Sequence, residues 1–255
     1  MKMKRPTPLV QAICWSFLPL AEGAELKIMT QMGCLVIHGF AGDVHEVLPL
    51  AQALREQGYI VECPTLEGHG MGRRHLGKSH RSSWVRSARE AYKRLQMRTD
   101  EIIVIGFSMG GLLAFHIAST YPVKQLVTIN TPYYYWDIQQ VWRNLREDYR
   151  PHARRYVNSL FKIPFRSMLQ FRLLLAETKQ ILPKITCPYF ILQGQLDDTV
   201  KAISAEHLRQ NVGTADVQIS YFPHSDHLLL KGPEAGQAIE LIVEKLSKLP
   251  RSTLI

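Results

Sequence analysis

Two hydrophobic periods alternate along this chain. Short apolar-rich runs occur at 33–37, 59–63, 101–105, 126–129, 189–192 and 217–221. They are four or five residues long and rich in Val, Ile, Leu and Tyr, the length and composition of strands that pack into a sheet. Between them apolar residues recur three and four positions apart. Val47, Leu50, Ala51 and Leu54 form one such stripe; Trp84, Ala88, Ala91, Tyr92 and Leu95 form a second; Ala235, Ala238, Ile239, Ile242 and Leu246 form a third. A further helix is expected from about 109 to 119. Gly58 closes the first helix, and Pro49 fits only its first turn. Pro64 stops the strand at 59–63, and Ser82 or Ser83 can cap the helix carrying Trp84. Strands alternating with helices predict an α/β fold with a mostly parallel central sheet and helices on both faces.

The rhythm breaks at 133–182, fifty residues without a strand-like run. This stretch holds almost half of the chain's aromatic residues and nine Lys or Arg against four acids. An insertion of this kind between two core strands is expected to form a small helical cap over the C-terminal edge of the sheet, where ligands bind in such folds. The expected division is therefore a core at 33–132 and 183–250, a cap at 133–182, and an N-terminal extension at 1–32. About half of the cap's aromatics are expected to glue it to the core. The excess suits an apolar-walled pocket, with Tyr135, Trp136, Trp142, Phe161, Phe165 and Phe171 as candidates to line it.

Composition narrows the functional classes. With 46% hydrophobic and 21% charged residues the chain is an ordinary globular protein. Its net charge of +9 is spread along the chain, and no nucleic-acid motif accompanies it, so no nucleic-acid partner is expected. Cys14, Cys34, Cys63 and Cys187 are far apart and form no Cys-x-x-Cys pair, which argues against a zinc site and a disulfide framework. No metal and no cofactor are expected. Met1-Lys2-Met3-Lys4-Arg5 followed by an apolar stretch at 9–20 has the outline of a secretory signal, but Gln11, Ser16 and Pro19 interrupt it. The stretch is too short for a membrane span, so no stable membrane insertion is expected and a cytoplasmic location is.

The chemistry begins at Gly106-Phe107-Ser108-Met109-Gly110-Gly111, directly behind the run at 101–105 and ahead of an apolar helix. Gly-x-Ser-x-Gly at a strand-to-helix turn is the context of a nucleophilic serine. Ser108 then needs a base and an acid, in the chain order Ser, acid, His. Asp197 and Asp198 follow the strand at 189–192, and only one of two adjacent acids can reach a histidine; spacing from Gly194 favours Asp197. His224 and His227 both follow the last strand. An oxyanion hole built from backbone N–H groups would use Phe40, after the first strand, and Met109, after the nucleophile. His38 is expected to order its own loop.

Gly33-Cys34-Leu35-Val36-Ile37-His38-Gly39-Phe40, Glu67-Gly68-His69-Gly70, the Ser108 motif, Gly194-Gln195-Leu196-Asp197 and Ser225-Asp226-His227 together resemble the bacterial carboxylesterase and monoacylglycerol lipase group of the α/β-hydrolases. The likeness covers about residues 33–248. It implies a serine esterase with a small helical cap and maps the triad onto Ser108, Asp197 and His227; the apolar run after His227 favours it over His224. His69 is implied to be structural. Lys231 stands where the family often has an aspartate. The implied activity is hydrolysis of short- to medium-chain carboxylic esters, monoacylglycerols included, so the partner is a small-molecule ester. The same triad also serves C–C bond hydrolases and cofactor-free haloperoxidases, and a ligand-binding protein without chemistry is a third reading.

Overall fold

The computed structural model describes residues 31–134 and 163–250, together with the backbone of two short strands at its margins. Residues 1–27, with Cys14, and the cap candidates Tyr135, Trp136, Trp142 and Phe161 lie outside the described residues.

The elements run β1 (Ile28–Met29), β2 (Met32–Ile37), α1 (Leu48–Glu56), β3 (Ile60–Glu62), α2 (Arg73–Lys78), α3 (Arg81–Gln96), β4 (Glu101–Phe107), α4 (Met109–Ala118) and β5 (Gln125–Ile129), then α5 (Phe165–Ile181), β6 (Tyr189–Gly194), α6 (Ile203–Asn211), β7 (Val217–Phe222), α7 (Ala235–Ser247) and β8 (Thr253–Leu254). Six strands form one sheet in the order β3-β2-β4-β5-β6-β7, and every pairing in it is parallel. β1 pairs antiparallel with β8 apart from that sheet. Every strand expected from the sequence is present. β2 starts one residue before the expected boundary at 33, because Met32 is buried and paired with Glu101.

Side chains alternate across each strand, so the central strands feed two cores. Leu35, Ile37, Val104 and Leu126 pack with Trp84, Tyr92 and Leu95 of α3 and with most of α4 on one face. Cys34, Val36, Ile103, Ile105 and Val127 pack with Leu50 and Leu54 of α1 and Ile242 and Leu246 of α7 on the other. Each large apolar side chain taken from water in this way contributes roughly 1.5–3 kcal/mol. α4 is buried almost all round, as its uniformly apolar sequence requires.

One detail differs from the expectation. α3 is capped by His80 and not by Ser82 or Ser83: its imidazole accepts the Ser82 N–H, and the Ser83 hydroxyl accepts the His80 N–H. Within the segment expected to be a cap, α5 buries Phe171, Leu174 and Leu175 in the same cluster as α3 and α4, while Phe165 is exposed. Arg81 ties α3 to α5 through Glu177 at 2.8 Å and Gln170 at 3.0 Å.

The order of strands places the site. The chain leaves β2 toward β3 on one side and resumes at β4 on the other, so the C-terminal ends of β2 and β4 flank the switch point of the sheet. In open parallel sheets such a switch point is where loops part and ligands bind. His38-Gly39-Phe40 emerges from β2 and Ser108 from β4.

Candidate active site

Ser108 sits between β4 and α4 with φ 53° and ψ −120°, outside the regions open to ordinary L-residues. Its N–H donates to Ile129 O at 2.8 Å, so the strained turn is fastened to β5. The two glycines of the motif follow from contact. A Cβ on Gly106 would stand 2.3 Å from Gly110 O, and one on Gly110 would stand 2.2 Å from Ile37 O. Both obstacles are backbone and cannot turn aside.

His227 lies in the loop after β7, its side chain 14% exposed, with Nε2 3.0 Å from Ser108 Oγ and Nδ1 2.8 Å from Asp197 Oδ2. A carboxylate can only accept, so Nδ1 carries the proton. In the neutral ring Nε2 is then the acceptor, and the Ser108 hydroxyl donates to it. The Asp197 side chain is fully buried, and its other oxygen accepts the N–H groups of Thr199 and Val200, each at 2.8 Å. Asp198 instead accepts the Thr199 hydroxyl. His224 is exposed and gives its backbone N–H to Glu234, which also accepts the Ser225 hydroxyl at 2.6 Å. Of the alternatives open in the sequence, the structure brings Asp197 and His227 to Ser108.

Met109 is the first residue of α4, directly after Ser108, so its N–H has no acceptor within the helix. Phe40 follows β2; its ring stacks on Phe171 at 5.1 Å and tilts against Trp84 at 5.7 Å. The loop beneath it is ordered by His38, whose buried ring donates from Nδ1 to Gly39 O at 2.9 Å and accepts the Leu66 N–H at Nε2. Burial pushes its pKa down, consistent with a neutral imidazole. His69 packs edge-on against His38 and Trp84, and burial pushes it down to about 4.

Glu46 was not singled out by the sequence. Its Oε2 accepts the Gly39 N–H at 2.9 Å, so a half-buried carboxyl holds the loop that carries Phe40. Burial raises its pKa, while the Gly39 N–H and the nearby His227 and Lys231 oppose that rise. An acid four residues past a His-Gly-Phe-Ala-Gly loop is the only local signal of this contact. Cys34, Cys63 and Cys187 are free thiols, and burial raises the pKa of each. Among the described residues no three His, Cys, Asp or Glu side chains are grouped to hold a metal, and no helix is long and apolar enough to cross a membrane.

Comparison with known proteins agrees with this architecture. A thermostable monoacylglycerol lipase from Bacillus sp. (strain H-257) is 30% identical over 247 residues, which span 90% of this chain and 97% of that protein. A carboxylesterase from Bacillus subtilis (strain 168) is 26% identical over 230 residues, 84% of this chain and 92% of that one. The solved structure of the metagenome-derived lipolytic enzymes LipS and LipT superposes with a TM-score of 0.75 at 21% identity, covering 87% of this chain and 96% of theirs. At that identity the likeness concerns the fold. The family model for the alpha/beta hydrolase fold matches residues 35–231, and the chain belongs to that family.

Proposed function

We propose that this protein is a serine carboxylic-ester hydrolase acting through Ser108, His227 and Asp197. The observation that carries this reading is the unbroken relay from buried Asp197 through His227 to Ser108, with contacts of 2.8 and 3.0 Å. In this mechanism His227 Nε2 takes the Ser108 proton as Oγ attacks the ester carbonyl. The oxyanion that forms is met by the N–H groups of Phe40 and Met109, a contribution of about 2.7–4 kcal/mol for each donor. His227 returns the proton to the leaving alcohol, and an acyl group remains on Ser108. Water then attacks that ester with His227 again as base. Asp197 keeps the imidazole in the tautomer that can accept and stabilises the imidazolium.

The substrates are short- to medium-chain esters, including monoacylglycerols, the substrate named for the Bacillus sp. relative. The insertion at 133–182 is assigned the role of a cap that sets acyl-chain preference. An apolar wall discriminates by about 0.8 kcal/mol per methylene, so selectivity grades with chain length. A panel of p-nitrophenyl esters and monoacylglycerols, run beside Ser108→Ala, tests the reading. Wild type is expected to turn over these esters and folded Ser108→Ala to lose several orders of magnitude in kcat. A wild type inert toward every ester, or a Ser108→Ala variant of equal rate, refutes it.

A further inference from the structure

We propose that Asn130 is a positioning residue of this centre, the joint that holds the turns bearing Ser108, Asp197 and His227 in register. The inference rests on the reading of those three residues given above.

β5 ends at Ile129, between the strand that delivers Ser108 and the strand that leads to Asp197. Asn130 follows it, fully buried, with φ 47°. Its backbone N–H donates to Leu192 O at 2.9 Å. Its side chain spends both amide N–H donors and its carbonyl oxygen on two other turns. Nδ2 donates to Asp226 O at 3.0 Å and to His227 O at 2.9 Å; Oδ1 accepts the Gly194 N–H at 2.7 Å. Gly194 ends β6, three residues before Asp197. The carbonyl immediately before Asn130, that of Ile129, accepts the N–H of Ser108. Two consecutive residues therefore touch the turn of the nucleophile, the turn of the acid and the backbone of the histidine itself.

The residue type follows from these contacts. Two carbonyls need two N–H donors and one N–H needs an acceptor, all within a short reach, which a primary amide supplies. The arrangement also fixes the amide orientation, since the flipped form would set oxygen against two carbonyls and NH₂ against an N–H. Left-handed backbone is tolerated by asparagine better than by other side chains of this size. A buried amide used in this way carries no proton in the reaction and touches no substrate. Its effect is on distance: His227 must stay within reach of both Ser108 and Asp197, and a shift of about 1 Å at such a contact costs on the order of 100-fold in rate.

Asn130→Gly deletes the amide and accepts the positive φ without strain; Asn130→Asp keeps an acceptor for Gly194 and turns an oxygen toward the two carbonyls. Both are made in the full-length chain. Competent sites are counted with a fluorophosphonate, kcat and KM for p-nitrophenyl butyrate are expressed per titrated site, and the rate of phosphonylation and the Tm are followed in parallel. The expected result for Asn130→Gly is a kcat per titrated site lower by about 10- to 100-fold, KM little changed, and phosphonylation slowed in step. A lowered Tm and a smaller active fraction, with kcat per titrated site equal to wild type, mean that Asn130 serves folding alone and overturn the proposal. If Asn130→Gly does not fold, Asn130→Asp takes its place, and failure of both to fold likewise overturns a positioning role. A wild type inactive toward esters refutes the underlying reading of the site; an active wild type with an unimpaired Asn130→Gly refutes only the role of Asn130.

Discussion

Replacing Asp197 by asparagine changes one atom of the relay and leaves its shape. In the wild type one carboxylate oxygen accepts from Thr199 and Val200 and the other from His227 Nδ1. An asparagine can keep the first set through its carbonyl, so the turn after β6 holds and the Tm changes little. Its NH₂ group then faces Nδ1. To accept that donor, His227 must carry its proton on Nε2, the nitrogen 3.0 Å from Ser108 Oγ. In that tautomer it has no lone pair for the serine proton, and the base is lost without movement of the ring. A wrong-tautomer histidine of this kind costs about 10⁴-fold in kcat, or roughly 5.5 kcal/mol of barrier. Asp198→Asn leaves the relay intact and is expected to change kcat/KM by no more than about threefold. Steady-state kinetics on p-nitrophenyl butyrate for both variants, with thermal unfolding to verify folding, decide the matter. Asp197→Asn within tenfold of wild type, or Asp198→Asn as the more damaging change, would refute the assignment.

Acid should weaken the fold through two histidines, buried His69 and half-buried His116. Burial holds His69 and His116 at about 4 against an ordinary 6.5, so both are neutral in the two states above pH 6.5, and only the unfolded chain takes up their protons between 6.5 and 4. Stability is therefore lost as pH falls through that window, by about 3 kcal/mol for each residue; urea unfolding at pH 7 and pH 4.5 measures it, His116→Gln should flatten the slope, and equal unfolding free energies at the two pH values contradict it. Phe171→Ala removes a buried ring stacked on Phe40 and should cost about 3–5 kcal/mol in stability while lowering kcat through the loosened Phe40 loop. Unchanged kcat in the folded variant would separate α5 from the working of the Phe40 loop.

The sheet was legible because strands buried on both faces leave continuous apolar runs, as β2 and β4 do, and the serine because steric contact imposes Gly106 and Gly110 on the sequence. Periodicity could not separate Asp197 from Asp198, since their difference lies in a turn whose Thr199 and Val200 N–H groups select one carboxylate. The N-cap of α3 was misread because His80 is an uncommon cap and the two serines beside it are favoured ones. Asn130 after a strand reads as an ordinary turn residue; nothing local reveals that its amide meets backbone at 194, 226 and 227. α5 was ambiguous for another reason. Phe165, Leu169 and Leu173 are exposed while Phe171, Leu174 and Leu175 are buried, so apolar residues surround the helix and hide which side faces the core.

The stack of Phe171 on Phe40 sets a limit on modularity. Insertions between strands are natural units of exchange, and the proposed role of this one in acyl-chain preference would make it a target for transplantation between relatives. Yet α5, its last part, carries the ring against which the loop after β2 is braced, and its Arg81 and Glu177 link joins it to α3. A graft bounded at 133 and 182 would import a foreign brace under a native loop. One bounded at 134 and 164 leaves α5 with its own core, and the seam between what a recombined enzyme can trade and what it must keep falls at Pro164.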